Sequence, residues 1–356
     1  MVKMMTHKAV ALFSGGLDST LAILAILKQG IEVKAVMFLT HFGCGTSIKT
    51  SCSHNPLSTA EKYGFEIKLL DVADRFMEIV KNPKFGYGRN LNPCIDCRIL
   101  MLKEANGVMD SIGADFIVTG EVLGQRPMSQ RKDILNVIDR EAGTIGYVLR
   151  PLSAKLLKIT IPEAKGIVNR DMLYDFSGRS RKPQIALAKE FGLIDYPEPA
   201  GGCLLTEPNY AHRLRELLVH NPDSQFKEIE MLKIGRHFRF SSSCKIIVGR
   251  DKAENETIQS LSESNDYLLK VEGYGSPITL VTGEITEETL RVAASLCVRY
   301  SDAKHLSEVE VIVVNGSDTF RLRVSPADDE IIIRYRIEKK NKSLAPKTTP
   351  CSLHIS

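Results

Sequence analysis

No stretch of this 356-residue chain approaches the roughly 18 consecutive apolar residues that a membrane-spanning helix requires. The longest early apolar run, Leu21 to Leu27, directly follows an acidic, Gly-rich turn, and a secretory leader would not carry Asp18 at that place. A dominant charge is missing as well. The 47 Lys and Arg stand against 43 Asp and Glu, and the net +4 is too small to name nucleic acid as a partner by itself. There is no internal repeat and no low-complexity segment. With 43% hydrophobic and 25% charged residues the chain can bury a sizeable core, which excludes a disordered class. Eight cysteines without a secretory signal point to a reducing compartment, where thiols serve metal or redox chemistry. The expectation is a cytoplasmic globular protein of two or three domains.

The first 150 residues alternate short apolar runs with helix-like segments. Ala9–Phe13, Val33–Leu39, Glu66–Asp71, Phe116–Thr119 and Gly146–Leu149 read as strands. Between them, apolar residues recur at helical spacing, as in Leu17, Leu21, Leu24 and Ala25 and in Ile99, Leu102, Ala105 and Met109. This predicts a doubly wound parallel α/β domain over residues 1–156. Residues 157–225, interrupted by Ile161-Pro162, Arg181–Pro183 and the Pro- and Gly-rich Tyr196–Cys203, read as an extension of loops and short helices. Residues 226–338 turn β-rich (Lys245–Val248, Tyr267–Val271, Ile278–Leu280, Glu310–Val314, Thr319–Val324 and Glu330–Ile337) around one helical segment, Glu287–Cys297, which predicts a smaller α+β domain. The Lys-rich tail, 339–356, reads as disordered.

The string SGGLDST, Ser14 to Thr20, lies directly between a strand and an apolar-periodic helix. Gly15 and Gly16 let the backbone approach a phosphate, the helix N-terminus aims N–H groups at it, and Ser14, Ser19 and Thr20 offer hydroxyls. The mononucleotide P-loop would end in Gly-Lys-Ser/Thr, and the dinucleotide fingerprint would need a third spaced glycine; this loop has neither. An ordinary Gly-rich turn is the plain alternative. As a full string, SGGLDST resembles the pyrophosphate loop (PP-loop) of the adenine nucleotide alpha hydrolase superfamily. That resemblance implies ATP cleavage between the α and β phosphates, adenylation of an acceptor, and a role for Asp18 in organising Mg2+ and phosphates.

The cysteines narrow the chemistry. Cys94 and Cys97 form a Cys-x-x-Cys at the start of a helix, where the N-terminal partial charge favours a thiolate. Cys203, in AGGCLLT, follows Gly201 and Gly202, which would let the backbone bring it to the first pair. Three thiolates from two distant loops suit a cluster with one open iron, while Cys94 and Cys97 as buried small hydrophobes with Cys203 filling a turn are the plain alternative. Gly88–Cys97, GRNLNPCIDC, resembles the tRNA-specific 2-thiouridylases, in which the second cysteine is catalytic. Residues 118–130, VTGEVLGQRPMSQ, with LRPLSAK at Leu149–Lys155, resemble the tRNA 4-thiouridine synthetases. The three-cysteine set itself resembles the iron-sulfur branch of tRNA thiolases, and neither a THUMP domain nor a rhodanese-like domain is read within residues 1–356. These resemblances imply a catalytic set of Cys94, Cys97, Cys203, Asp18 and Arg98. ATP would be bound by Ser14, Gly15, Gly16, Asp18, Ser19, Thr20, Gly120 and Gln125, with a [4Fe-4S] cluster on the three cysteines. Arg98 is equally readable as an inert helix-surface residue. His41, Cys44, Cys52 and His54 have zinc-ligand chemistry, but their spacing fits no compact finger and favours a loop.

In the β-rich part, Leu232–Lys252 carries Lys233, Arg236, Arg239, Lys245 and Arg250 with Phe238 and Phe240 interleaved. Cations that neutralise phosphates and aromatics that stack on unpaired bases make this an RNA-facing composition; a charged hairpin with its aromatics in the core has the same pattern. The segment resembles the RNA-binding domain of the NFACT family. Together these readings predict an ATP-dependent tRNA sulfurtransferase whose partners are tRNA and a sulfur donor: a cysteine desulfurase, a carrier protein or sulfide. Two alternatives remain: a synthetase transferring nitrogen to an adenylated acceptor, which has no need of three cysteines, and a non-catalytic RNA-binding adaptor, against which the intact loop argues.

Overall fold

A computed structural model describes residues 7–43, 56–196 and 203–338. The tail 339–356, Cys44, Cys52, His54, Gly201 and Gly202 lie outside the described residues. The chain divides into two compact units at Thr206 and Glu207. The extension expected over 157–225 is therefore shared between them, and Cys203 falls in the first.

The first unit runs β1 (Lys8–Leu12), α1 (Leu17–Leu27), β2 (Glu32–Leu39), α2 (Pro56–Tyr63), β3 (Glu66–Asp71), α3 (Ala73–Lys81), α4 (Cys94–Ile112), β4 (Phe116–Thr119), α5 (Lys132–Ala142), β5 (Val148–Leu149), α6 (Ile161–Ala164) and α7 (Lys182–Glu190). The strands form one parallel sheet in the order β3-β2-β1-β4-β5. Side-chain alternation along β1 explains why both faces are covered. Ala9, Ala11 and Phe13 pack with Leu17, Leu21 and Ile26 of α1, whereas Val10 and Leu12 pack with Ile99, Leu102 and Ala105 of α4 and Ile138 of α5. The strand order reverses between β1 and β4, and in sheets of this kind a crevice opens there at the carboxyl ends of the strands. The fold class read from the sequence is the one observed.

The second unit comprises α8 (Pro208–His220), α9 (Phe226–Met231), β6 (Arg236–Arg239), β7 (Cys244–Val248), α10 (Lys252–Leu261), β8 (Tyr267–Val271), β9 (Thr279–Gly283), α11 (Glu287–Arg299), β10 (Val309–Asn315), β11 (Asp318–Val324) and α12 (Asp329–Tyr335). Its strands pair antiparallel in the order β11-β10-β8-β9-β7-β6. One face packs on α11 through Leu269, Val271, Val281, Val311 and Val313. On the opposite face, Ile247, Leu280 and Leu268 pack with Met231 and Ile258.

One expected element changes type. Glu330–Ile337, rich in isoleucine, was expected as a strand, yet it opens as α12, because the Asp328 carboxylate accepts a hydrogen bond from the Ile331 N–H at 2.8 Å and Asp329 and Glu330 occupy the first turn. N-capping and acidic residues at a helix start outweigh β-branched propensity here.

His237 on β6 is fully buried, its Nε2 2.8 Å from the Ile234 carbonyl and its Nδ1 without a hydrogen-bond partner. Burial, reinforced by the nearby Lys245 and Arg213, holds its pKa well below 6.5. The unfolded chain therefore takes up this proton first as the pH falls. Stability contributed by the neutral ring is present above pH 6.5 and is lost below it, with a slope approaching about 1.4 kcal/mol per pH unit. Thermal unfolding of the full chain between pH 7.5 and 5 should show this acid limb, and it should be shallower in His237→Gln. Equal slopes for the two proteins would remove His237 as its cause.

Candidate functional site

The loop after β1 builds an anion cradle from backbone. Gly15 adopts φ +72°, and Gly16 precedes α1 without any side-chain cap, so no side chain of its own satisfies the first-turn N–H groups. The hydroxyls are deployed differently from the sequence expectation. Ser19 Oγ and Thr20 Oγ1 both donate to the Gly16 carbonyl, at 2.9 and 3.1 Å, and are buried. These two side chains brace the loop, and Ser14 is the exposed hydroxyl.

The segment after β4 closes on this loop. A Cβ on Gly120 would lie 2.5 Å from the Ser19 nitrogen and 2.6 Å from the Asp18 carbonyl carbon, so only glycine fits. Gln125 Nε2 donates to Asp18 Oδ2 at 2.9 Å, while Asp18 Oδ1 and Gln125 Oε1 are buried with no hydrogen-bond partner. An unsatisfied buried carboxylate oxygen is costly. Its place beside the Gly15–Gly16 backbone fits Asp18 as a residue that would hold Mg2+, whose charge would offset that of a bound phosphate.

The three cysteines come together. Cys94 and Cys97 lie in the first turn of α4, and Asn90, in the left-handed region at φ 58°, donates from Nδ2 to the Thr206 carbonyl at 2.7 Å. Leu91 N–H donates to the Leu205 carbonyl at 3.1 Å, and Thr206 Oγ1 donates to the Cys203 carbonyl at 2.7 Å. These bonds pin the Cys203 segment against the Asn90–Asn92 loop, within electrostatic reach of Cys97. The thiolate character expected from the helix N-terminus is overridden. Burial pushes Cys97 up to about 12, and Cys203 and Cys94 add to this, while Arg98 and Arg126 oppose it. Burial also raises Cys94. Desolvation of a charged sulfur outweighs the helix partial charge. As placed, the three sulfurs are not a metal-ligand set: among the described residues no group of three or more His, Cys, Asp or Glu is arranged to hold a metal ion. His41 is buried edge-on against Phe42.

Arg98 follows Cys97 and turns toward Glu121, with Nε 3.6 Å from Oε1. Glu121 is 3% exposed; its Oε2 accepts from Arg150 Nε at 2.9 Å and from Thr119 Oγ1 at 3.1 Å. Arg150 also grips Asp139 through two nitrogens at 2.9 and 2.7 Å. Burial would raise the Glu121 carboxyl, but Arg150 and Arg98 together hold it below the usual carboxylate range. The segment Gly120–Arg126 therefore joins the two halves of the site: Gly120 and Gln125 touch the PP-loop, and Glu121 and Arg126 face Arg98 and the cysteines. Sequence reasoning missed Glu121, Arg150 and Asp139. The clue lay in a Glu beside Gly120 and an Arg in the LRPLSAK string.

In the second unit the expected RNA-contacting cations are largely engaged within the fold. Lys233 pairs with Glu230, Arg239 with Glu216 and Arg250 with Glu254. The Arg236 guanidinium stacks 4.3 Å from the Tyr300 ring centre and donates to the Gly249 carbonyl. Lys245 is 7% exposed, and burial lowers its ammonium pKa to about 8. Phe238 is core, and Phe240 stacks on Tyr335.

Comparison with known proteins follows this division. Residues 4–172 match the family model described as thiamine biosynthesis protein (ThiI), and residues 235–336 match the NFACT protein RNA binding domain. The first unit is thus similar to that family over residues 4–172, a little under half of the chain. A tRNA-specific 2-thiouridylase of Leptospira interrogans is 25% identical, over 95% of this chain and 85% of its own length. One from Methylobacterium nodulans is 24% identical over 65% of this chain, which spans only 60% of that relative. A probable tRNA sulfurtransferase of Thermococcus kodakarensis is 33% identical over 33% of this chain and 30% of its own length. Among solved structures, a 4-thiouridine synthetase in complex with RNA and bound ATP matches at 21% identity and TM-score 0.31, covering 52% of each chain. No helix among the described residues is long and apolar enough to cross a membrane.

Gly120→Ala should displace the PP-loop and cost about 1–3 kcal/mol of stability, with at least a tenfold loss of ATP affinity by calorimetry. Arg150→Met takes the main partner from buried Glu121, which keeps only Arg98 and Thr119, and from half-buried Asp139, and should cost about 3 kcal/mol in urea unfolding. A change below about 1 kcal/mol in Arg150→Met would show that this network does not hold the site together.

Proposed function

We propose that this protein is an ATP-dependent tRNA sulfurtransferase that adenylates a uridine carbonyl and replaces its oxygen with sulfur. The observation carrying this reading is the convergence, within one unit, of an anion cradle with an unsatisfied Asp18 oxygen and three clustered thiols, joined by Gly120–Arg126. The family match to tRNA-thiolation enzymes supports the substrate class.

In this reading the backbone of Gly15 and Gly16 and the first turn of α1 hold the phosphates. Asp18, positioned by Gln125, would hold Mg2+, which when bound neutralises charge on the phosphate oxygens. The uridine oxygen attacks the α-phosphate and pyrophosphate leaves. This turns a poor leaving group, an oxide, into AMP. We assign the sulfur to the thiols themselves, loaded by an external donor as a persulfide on Cys97 or its neighbours. The terminal sulfur attacks the adenylated carbon and AMP departs. A second cysteine then attacks the sulfur of the carrying cysteine, which releases the thiolated base, and a two-electron thiol reductant reopens the resulting disulfide. Burial that holds the unloaded thiols protonated protects them from unproductive oxidation, and Arg98 and Arg126 stand where negative charge on sulfur develops. Nitrogen transfer to the same adenylate would leave the thiol cluster without a purpose.

Asp18→Asn should abolish both tRNA-dependent pyrophosphate release and thiouridine formation, the latter read by nucleoside mass spectrometry. Cys97→Ala should retain pyrophosphate release and lose thiouridine. Undiminished thiouridine in Cys97→Ala would remove Cys97 as the carrier, and undiminished thiouridine in each of Cys94→Ala, Cys97→Ala and Cys203→Ala would sink the thiol assignment. Stoichiometric iron in anaerobically purified protein, lost from each of Cys94→Ala, Cys97→Ala and Cys203→Ala, would replace it with a cluster.

A further inference from the structure

We infer that the second unit binds single-stranded RNA on the open half of its sheet, in the groove between α10 and the outer face of β8 and β10, rather than through Lys233, Arg236, Arg239, Lys245 and Arg250. The inference rests on the reading that this unit is the RNA-binding part of the enzyme.

The geometry assigns the surface by elimination and by register. α11 covers one face of the sheet, and the hydrophobic cluster under α9 and α10 covers the other face around β7 and β9. The outer side of β8, β10 and β11 remains, where Lys270, Arg321 and Arg323 are exposed. Pairing sets Lys270 and Arg321 on either side of Ile312 in one row across three strands. Toward α10 the face deepens into a groove of about 630 Å³, lined by Lys252, Asn255, Gln259, Lys270, Tyr274 and Ile312.

The lining has the parts that unpaired RNA uses. Lys252, 92% exposed in its side chain, and Lys270 supply cations at the rim, and Tyr274, 48% exposed, supplies a ring on which a base can stack. Ile312 gives the floor an apolar patch. Glu256 and Glu272 also line the groove, but their ion pairs with Lys252 and Arg321 are solvent-exposed, and such pairs exchange for a phosphate at little cost. By contrast, drawing Arg239 or Lys245 onto RNA would break a part-buried pair or expose a buried ammonium.

The full-length protein would be titrated against a fluorescein-labelled single-stranded RNA 12-mer and the matching duplex, by anisotropy at several salt concentrations. Wild type should favour the single strand. Tyr274→Ala should weaken single-strand binding about fivefold or more. Lys252→Gln with Lys270→Gln should lower the log-log salt slope by about 0.7 per lost phosphate contact. Arg250→Gln should bind as wild type does. If wild type binds RNA and the groove variants bind it equally well, this face is not the site, and a protein partner becomes its better occupant. Equal loss of single-strand and duplex binding would overturn the single-strand assignment. Wild type that binds neither RNA would instead refute the RNA-binding reading on which the inference rests.

Discussion

The approach of the Gly120 backbone to the Asp18–Ser19 peptide is the constraint on which the rest of the first unit depends. At a distance that leaves no room for one methyl group, the end of β4 and the start of α1 act as a single body. Gln125 can then reach Asp18, and Glu121, the next residue, is committed to the interior, where its charge must be answered. Arg150 answers it and draws in Asp139. Arg98 supplies a second, looser contact that orients the first turns of α4 and so bears on the cysteines. A steric fact about one glycine thus propagates through charge pairing to the thiols.

Burial decides several questions that composition leaves open. A Cys-x-x-Cys at a helix start reads as a thiolate pair, because the helix partial charge is the one influence visible along the chain. Desolvation is the larger effect in the fold, and it holds Cys97 protonated. Lys245 and His237 show the same inversion: one basic segment reads as an RNA-facing stripe, yet β7 buries its lysine and β6 its histidine. Lys233, Arg236, Arg239 and Lys245 are engaged within the second unit, whereas Lys252 on α10, Lys270 on β8 and Arg321 and Arg323 on β11 are exposed.

The two units use their sheets differently. A parallel sheet buried on both faces confines its chemistry to the carboxyl ends of the strands, where loops carry the PP-loop and the Gly120–Arg126 segment. An antiparallel sheet with one face covered only in part leaves backbone-supported side chains in fixed register on an open surface.

The sequence by itself determined the parallel α/β fold, because alternating apolar strands and helix-periodic segments carry period-2 and period-3.6 signals that need no partner to be read. It also marks Ser14–Thr20 and Asn92–Cys97 as candidate site strings, since each is contiguous and can be read without a partner. The α12 segment was misread because three successive isoleucines signal a strand, whereas Asp328 capping Ile331 signals a helix, and the cap prevailed. Only the tertiary structure decided which hydroxyls face the cradle, that Asn90 and Leu91 fasten the Cys203 segment to the Cys94 loop, and that Glu121, Arg150 and Asp139 form one network. Those residues are separated by up to 116 positions in the chain, and neither desolvation nor pairing between distant side chains is encoded in any local spacing.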